Sequence, residues 1–424
     1  VLWLGSRESG LYRNVVSSEA FSDIASISAE LSEQEPFSVT AILKQQNTLW
    51  LGSTDALYHI QLSDGQFTRL ALNTRVNAIA ADSGGLVYIA TDAGLYRFTD
   101  DGIEKVDMPF DLTNVSNRNV RDLYIDAKDT LYLGMWGEGV IAWQPAENRV
   151  QHWLAELAET SVGNAVQQVF VGTDRQLWVA TRDSGLFQID LPSGKIQQYT
   201  TAASSAITLE HNNVQCVSEQ AGILAICSRD GLILYNRTTA EQKLLGREEG
   251  LPSEIILGVV QRQQQLWVMT AKGLAHRLSE QQRFSNYNSR DGMASTELNT
   301  KAVYAEDGQL FFGSMGGLVV VDPQLLKGNA FIPDPTLSAV VIDHQELLLK
   351  PHGQPWPLIK LLPDNHTVNF EFSALDYQDP QRNQFHYKLQ GINSEWVLAG
   401  ARNSAFYANL PVGSYPLWLK ASNN

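Results

Sequence analysis

The chain has 424 residues, a length typical of two to three domains. Hydrophobic residues make up 44% of it and charged residues 18%, which excludes a disordered or collagen-like chain. Lys and Arg number 31 against 46 Asp and Glu, so the net charge is −15. This balance argues against nucleic acid or an anionic membrane as the main partner, although it leaves room for a local basic patch. No apolar stretch approaches the roughly 18 residues that span a bilayer.

One motif recurs along most of the chain. It consists of an alternating strand pattern, a short polar turn and a second alternating pattern, as in LWVATRDSGLF from Leu177. Eight copies lie 38 to 47 residues apart, with a mean spacing of 44, and begin at Leu2, Leu49, Val87, Leu131, Leu177, Leu224, Leu266 and Leu310. Further strand patterns before and after the motif give four strands per period. This arrangement predicts an all-β fold, a β-propeller.

The second position of the motif is aromatic in every copy except one, where it is Ala225. We interpret this stripe as packing between neighbouring blades rather than as a ligand site. The turn closes on glycine in every copy except that of Ala56, which favours a positive φ there.

The number of blades is left open between two values. Eight copies predict eight blades, whereas seven blades result if the first copy, which lacks an upstream strand, is left over. The last copy lacks an outer strand before the following linker. A segment near the N-terminus could supply that strand and close the ring.

The repeat stops after Pro323, and Phe331–Pro335 is typical of a stiff linker. New strand patterns without the repeat begin at Thr336, His366, Phe385, Ser404 and Tyr415. Short alternating strands over this length predict an immunoglobulin-like β-sandwich. We therefore predict a propeller over residues 1–330 and a sandwich over residues 331–424.

Two cysteines, Cys216 and Cys227, cannot form a zinc site alone. If Ala221 and Gly222 form a two-residue turn, the cysteines face each other across a strand pair. They then form either a cross-strand disulfide or two buried thiols.

The repeat resembles the two-component regulator propeller family. The tail resembles the domain named for three tyrosines, which follows that propeller in bacterial sensors; the matching residues are 387–396, 407–413, Tyr415 and 419–423. The resemblance implies a periplasmic ligand-sensing ectodomain of an inner-membrane protein, coupled to a cytoplasmic histidine kinase or diguanylate cyclase. It also implies a homodimer formed through the sandwich. Residue 1 is Val, and the tail stops before the family's last strand, so we expect a processed or excised piece.

Chemistry-bearing motifs are sparse. The sequence has no HExxH, GxSxG or P-loop pattern, and its eight histidines show no metal-binding spacing. We therefore expect this piece to have no enzymatic activity, no cofactor and no resident metal, although a metal site built from distant blades stays open.

Ligand-binding residues are expected on one rim of the propeller. The turn inside each motif and the connection that enters each blade join strands at the same end, so they share that rim. The candidates are Trp136, Arg182, Arg229, Arg75, Arg118, Asn119, His211 and Lys272. Arg, Asn and Trp suit a polar small molecule or an oligosaccharide. The alternative is a solvated polar rim whose Asn residues cap turns.

Three functions compete on these observations. The first is the sensor ectodomain that the resemblance implies. The second is a propeller lyase or glycoside hydrolase with paired carboxylates in the central channel. The third is a scaffold that binds only protein.

Overall fold

The structure is a computed structural model of the chain. It describes residues 2–6, 10–14, 20–32, 37–108, 119–154, 166–202, 206–262, 264–278, 281, 283–306, 308–326, 334–347, 358–374, 383–400 and 402–422. Two compact units emerge, one formed by Ser17–Leu326 and the other by Val1–Val16 with Lys327–Asn424. No helix in the described part of the chain is long and apolar enough to cross a membrane.

The first unit contains seven antiparallel four-stranded sheets, numbered here as blades 1 to 7. Blade 1 consists of Ala41–Gln45, Thr48–Gly52, Ala56–Gln61 and Phe67–Ala71. Blade 2 consists of Val76–Ala81, Val87–Thr91, Gly94–Thr99 and Gly102–Lys105. Blade 3 consists of Val120–Ile125, Leu131–Met135, Val140–Gln144 and Arg149–Trp153. Blades 4 and 5 consist of Val166–Val171, Gln176–Thr181, Leu186–Asp190 and Ile196–Tyr199; and Val214–Gln220, Ile223–Ser228, Leu232–Asn236 and Gln242–Leu245. Blades 6 and 7 consist of Ile256–Arg262, Gln265–Thr270, Gly273–Leu278 and Ser285–Tyr287; and Leu298–Glu306, Gln309–Ser314, Gly317–Val321 and Phe21–Asp23.

The seven blades close into a ring. The first strand of each blade contacts the first strand of the next, and that of blade 7 contacts that of blade 1. The outer strand of blade 7 comes from the N-terminal side of the chain, because Phe21–Asp23 pairs antiparallel with Gly317–Val321. This is the closure that the sequence left as a possibility.

The first motif copy does not form a blade. Its two strands, Leu2–Ser6 and Gly10–Asn14, make a two-stranded sheet that belongs to the second unit. The predicted propeller boundary at residue 1 therefore moves to Ser17, because a hairpin without flanking strands cannot complete a four-stranded sheet. Short helical turns lie at Ile24–Ser26, Ala29–Ser32, Pro145–Glu147, Ser289–Asp291 and Pro323–Leu325.

Within the seven blades the aromatic stripe is buried at the blade interfaces, as predicted. Trp50 of blade 1 packs against the first two strands of blade 2, and Trp267 of blade 6 packs against Phe312 of blade 7. Glycine closes the motif turns at positive φ; at Gly185, with φ of 81°, an added Cβ would lie 2.1 Å from the carbonyl oxygen of Tyr199. Each blade interface therefore holds a separate apolar cluster.

The two cysteines form a disulfide. Ala221 and Gly222 make the turn between the first two strands of blade 5, both with positive φ. Cys216 and Cys227 are direct partners in that strand pair, with Cα atoms 4.9 Å apart, and the structure joins their sulfurs. The alternative of two buried thiols is therefore wrong.

The second unit contains two further sheets. One has the strand order Gln345–Leu347, Pro335–Ile342, Thr367–Ala374 and Ser404–Ala408, and the other the order Val397–Gly400, Gln384–Leu389 and Leu417–Ser422. Side chains of both sheets share one core, which includes Phe372 and Phe385 at a ring distance of 5.2 Å. Two of the three tyrosines of the tail, Tyr387 and Tyr407, meet edge to face in it. This is the predicted β-sandwich.

Candidate functional site

A β-bulge opens the first strand of blades 2 to 6. In each case the strand pairing skips one residue immediately after the first paired position. An extra residue in a bulge is released from the ladder, so its side chain can be aimed away from the sheet. The skipped residues are Asn77, Arg121, Gln167, Gln215 and Leu257, and all five line a cavity on the propeller axis.

Blade 7 carries a larger irregularity at the same place. Its pairing jumps from Leu298 to Val303, and Lys301 within this segment has a φ of 61°. A non-glycine residue in this region of backbone space is strained, and such strain is held in place by surrounding contacts. At Lys301, the contacts that hold the strained backbone in place are those made by its side-chain ammonium group.

Lys301 reaches across the axis to the opposite blades. Its Nζ lies 2.9 Å from Oδ1 of Asp122 in blade 3, and it also donates to the carbonyl oxygens of Arg121 and of Gln167 in blade 4. In a ring of seven, blades 3 and 4 stand opposite blade 7. Lys301 therefore ties the two halves of the ring together.

The ion pair of Lys301 and Asp122 is buried, with side chains 13% and 12% exposed. The second oxygen of Asp122 accepts a hydrogen bond from the backbone N–H of Val169 at 2.8 Å. Burial raises the pKa of Asp122, and the charge of Lys301 opposes that rise. Burial likewise lowers the pKa of Lys301, against the charge of Asp122. Removing one partner of such a pair typically costs about 3–5 kcal/mol.

The cavity has a volume of about 500 Å³ and receives side chains from all seven blades. This size suits a small ligand, since ligand pockets measure roughly 300–1,000 Å³. Its described lining consists of Thr40, Arg75, Asn77, Arg121, Gln167, Arg182, Asn213, Gln215, Arg229, Ile255, Leu257, Thr300 and Lys301. Five of these residues are cationic, and none is an Asp or a Glu.

The four arginines of the cavity differ in exposure: Arg75 and Arg121 are half-buried, whereas Arg182 and Arg229 are exposed. Within the ranges that the structure describes, Arg75, Arg121, Arg182 and Arg229 form no ion pair. Burial lowers the pKa of Arg75, and the nearby charge of Arg121 lowers it further, against the charge of Asp92. The positive charges therefore act on one another across the cavity.

The remaining lining residues divide by blade. Amide side chains come from blades 2, 4 and 5, whereas blade 6 contributes the apolar pair Ile255 and Leu257. Two amides are held in place: Asn77 donates to Asp92 at 2.8 Å, and Gln215 donates to Asn213 at 2.7 Å. The cavity thus has one apolar wall and a cationic, hydrogen-bonding wall.

Trp136 contacts the arginines. Its ring centroid lies 5.2 Å from the guanidinium of Arg121 and 5.6 Å from that of Arg182. Both distances fall within the range of a cation–π interaction. In this structure the indole therefore contacts two of the arginines that line the cavity.

The structure brings three of the eight predicted rim residues into the cavity lining, namely Arg75, Arg182 and Arg229. Asn119 does not line the cavity but bonds to two residues of the site. Its Oδ1 accepts a hydrogen bond from the side chain of Asn77 at 3.3 Å, and its carbonyl oxygen accepts one from the backbone N–H of Trp136 at 3.1 Å.

The other predicted residues lie elsewhere. His211 is exposed, and its Nδ1 accepts from the backbone N–H of Asn213 at 2.9 Å. Lys272 is exposed on the turn of blade 6, and neither residue belongs to the described lining. Arg118 lies outside the described residues.

The predicted rim itself is present. Backbone hydrogen bonds join motif turns to blade connections, for example Asp92 N–H to Arg75 O and Ala271 N–H to Ile255 O. Sequence reasoning missed the bulge residues, Arg121 and Lys301 above all. The available signal was a polar residue directly after the first buried valine of a strand, as in VRD from Val120.

Comparison with known proteins supports the assignment of both units. Residues 376–424 match the Y_Y_Y domain family. The extracellular domain of BT3049 from B. thetaiotaomicron, which is assigned to the hybrid two-component systems, superimposes with a TM-score of 0.75 at 18% identity, covering 99% of this chain and 57% of that one. The extracellular domain of BT4673 from the same organism, assigned to the one-component systems, gives a TM-score of 0.59 at 18% identity, with coverage of 99% and 59%.

A curated relative, histidine kinase P4 of Formosa agariphila, is 20% identical over 350 residues, which are 78% of this chain and 25% of that protein. The chain thus spans about a quarter of this relative and under two thirds of the two solved domains. The resemblance to sensor ectodomains with a Y_Y_Y tail, stated from the sequence, is confirmed, and the all-β fold with it.

Proposed function

We propose that this chain is a ligand-sensing ectodomain of a membrane signalling protein and that its ligand binds in the axial cavity. The observation that carries the proposal is the cavity itself: all seven blades direct side chains into it, and its four arginines form no direct ion pair with the described residues. Support for the sensor role comes from the Y_Y_Y tail and from the solved relatives, which are extracellular domains. A periplasmic location and a kinase or diguanylate cyclase output belong to the same proposal.

The same cavity gives less support to the alternative of a propeller enzyme than to a ligand sensor. Hydrolysis of a glycoside ordinarily needs two carboxyl groups beside the scissile bond. The described lining supplies no carboxylate, and Asp122 is engaged by Lys301 and by the N–H of Val169. The described residues also include no group of three His, Cys, Asp or Glu side chains placed to hold a metal ion. These features suit binding without turnover.

The test of the sensor role uses the full-length protein in lipid vesicles. Autophosphorylation and cyclic dinucleotide synthesis are both measured while a library of small molecules, acidic and neutral, is added on the ectodomain side. The proposal predicts that at least one compound changes one output at least severalfold, and that Arg229→Gln shifts this response to at least tenfold higher compound concentration. An output that no compound changes, or a dose–response that Arg229→Gln leaves unshifted, contradicts it.

We further propose weak self-association through the sandwich. Large apolar side chains stand exposed on it, namely Leu398 (65%), Phe406 (63%) and Trp418 (56%). Sedimentation equilibrium at rising protein concentration measures the association. Phe406→Ser is expected to weaken it, whereas a wild-type chain that stays monomeric throughout contradicts the proposal.

A further inference from the structure

The axial cavity combines a cationic wall with an apolar one, and this combination restricts what can bind. Blades 2 to 5 contribute Arg75, Arg121, Arg182 and Arg229, whereas blade 6 contributes Ile255 and Leu257. We propose that the ligand is a small organic polyanion, in which two or more acidic groups are attached to one carbon skeleton. This inference rests on the proposed function, because it names the ligand class of the same cavity.

The number of acidic groups follows from the number of unpaired cations. One carboxylate has two oxygens and is matched by a single guanidinium in a bidentate pair, or by two guanidiniums that each bind one oxygen. A single acidic group therefore leaves at least two of the four arginines without a counter-charge. Two of the four, Arg75 and Arg121, are half-buried, whereas Arg182 and Arg229 are exposed. A ligand with two or more acidic groups can pair with guanidiniums of both kinds.

Lys301 does not change this count. Its charge is already balanced by Asp122, whose Oδ1 lies 2.9 Å from Nζ of Lys301. The bridge from blade 7 to blade 3 instead fixes the position of the neighbouring residue, Arg121, whose carbonyl oxygen also accepts from Nζ. Lys301 is thus a positioning residue for the cationic wall.

The two apolar residues of blade 6 indicate that the ligand has a carbon skeleton. Ile255 and Leu257 occupy two positions that are both polar in blades 2, 3 and 5, as in Arg75 and Asn77 of blade 2, whereas blade 4 has Ala165 in the sequence at the first position and Gln167 at the second. Side chains such as Ile255 and Leu257 gain free energy only by excluding water from apolar surface. An inorganic anion presents no such surface, whereas an organic acid does.

The overall negative charge of the chain does not prevent entry of an anion. At about 0.1 M salt, charges separated by more than about 10 Å are largely screened. The potential within the cavity is therefore set by the nearby arginines rather than by the net charge of −15. Binding is consequently expected to weaken as salt is added.

Two sources of such an anion share this chemistry, a small di- or tricarboxylic acid and a short acidic oligosaccharide. Isothermal titration calorimetry on the purified chain distinguishes them with citrate, a galacturonic acid trisaccharide, inorganic phosphate and the neutral sugar maltotriose as probes. We expect one of the two organic acids to bind, with an affinity that falls at least fivefold between 50 and 500 mM NaCl. Phosphate and maltotriose are expected to bind at least tenfold more weakly.

The chain supplies a matched pair of variants. Arg229 and Lys272 occupy equivalent motif turns in blades 5 and 6, but only Arg229 lines the cavity. Because charge-assisted hydrogen bonds contribute roughly 1.5–3 kcal/mol, Arg229→Gln should weaken binding of the organic acid by about 10- to 100-fold. Lys272→Gln should change it less than twofold, and both variants should keep the wild-type melting temperature.

Several results would overturn the inference. Preferential binding of maltotriose in the cavity refutes a polyanion but leaves the sensor role intact, since the output of the full-length protein can still respond. Binding of phosphate as tightly as of either organic acid refutes the carbon skeleton. Binding of a polyglutamate peptide in place of both organic acids refutes a small ligand, and equal losses in Arg229→Gln and Lys272→Gln refute the assigned site.

Discussion

The interiors of the blades and the axis of the same propeller differ in how strictly the repeat controls them. Between the blades, equivalent positions carry equivalent side chains: Trp178 and Trp267 are 1% and 0% exposed at the same place in blades 4 and 6. At the axis, the equivalent bulge positions carry Asn77, Arg121, Gln167, Gln215 and Leu257. Interblade packing calls for an apolar and mostly aromatic side chain, with Ala225 the exception, whereas the axis receives cationic, amide and apolar residues from different blades.

The bulge accounts for this difference. A residue in a regular strand must fit both the ladder and the neighbouring blade, so its side chain is restricted by contacts on two sides. The skipped residue of a bulge is free of the ladder and adds its side chain to a space shared by seven blades. A symmetric scaffold thereby acquires an asymmetric binding surface without loss of packing.

The largest expected effect tests the blade interiors. Trp267→Ala removes a fully buried indole that stacks on His276 at 4.2 Å and packs against Phe312. We expect the free energy of unfolding of the propeller to fall by about 3–5 kcal/mol, measured by urea denaturation. Trp418→Ala, which removes an exposed indole in the sandwich, is the control and should cost below about 1 kcal/mol. Equal effects would contradict the assigned packing role.

The disulfide within blade 5 gives the next effect. Cys216 and Cys227 are both buried and close a loop of 11 residues' separation. A cross-link over a loop of this length stabilises by roughly 2–3 kcal/mol through the unfolded chain. The double variant Cys216→Ala, Cys227→Val should therefore melt at a lower temperature, and it should no longer respond to a reductant that destabilises the wild type. A wild type whose melting temperature is the same with and without reductant would contradict this prediction.

A smaller effect concerns pH. Burial lowers the pKa of His276 from 6.5 to about 4, so the folded propeller favours the neutral ring. The stabilisation is fully present above pH 6.5, and it declines as the pH falls toward 4, because the unfolded chain takes up the proton first. After allowance for partial solvent screening, this histidine accounts for about 2 kcal/mol of that decline.

His276→Phe keeps a ring beside Trp267 but cannot be protonated. Its unfolding free energy should therefore fall about 2 kcal/mol less than that of the wild type between pH 7 and pH 4. Urea titrations of both proteins at the two pH values measure the difference. Parallel pH profiles of the two proteins would show that His276 is not the group responsible.

The sequence predicted the fold well because its signals are local and repeated. The motif around Trp178 fixes two strands and a turn at once, and a glycine such as Gly185 marks where the turn closes. The number of blades could not be predicted, because the first copy has the same motif as the others. The first copy differs from the others only in lacking flanking strands. In addition, Phe21–Asp23 completes blade 7 through a long-range pairing that no local pattern encodes.

From the sequence, only the residues at the rim of the candidate site could be predicted. Arg75, Arg182 and Arg229 lie on turns, where the repeat indicates a shared rim. Arg121 lies inside a strand, and a bulge that shifts register by one residue decides whether it faces the axis or a neighbouring sheet. Lys301 and Asp122 are 179 residues apart in the sequence and come into contact only because the ring of blades closes. No local pattern predicts such a pair.

The smallest expected effect on stability tests the axis. Trp136 is half-buried on the motif turn of blade 3, and its ring lies near the guanidinium groups of Arg121 and Arg182. Because its contacts are with these cavity residues, Trp136→Ala should change the unfolding free energy by less than about 1 kcal/mol. It should nevertheless weaken binding of the organic acid by about 5- to 30-fold, since loss of a cation–π contact of roughly 1–2 kcal/mol releases both arginines. Trp136→Phe retains an aromatic face and should recover most of the affinity. If Trp136→Ala instead unfolds the propeller while Trp267→Ala does not, the packing and binding roles of the two tryptophans are reversed, and the contrast between blade interior and axis fails with them.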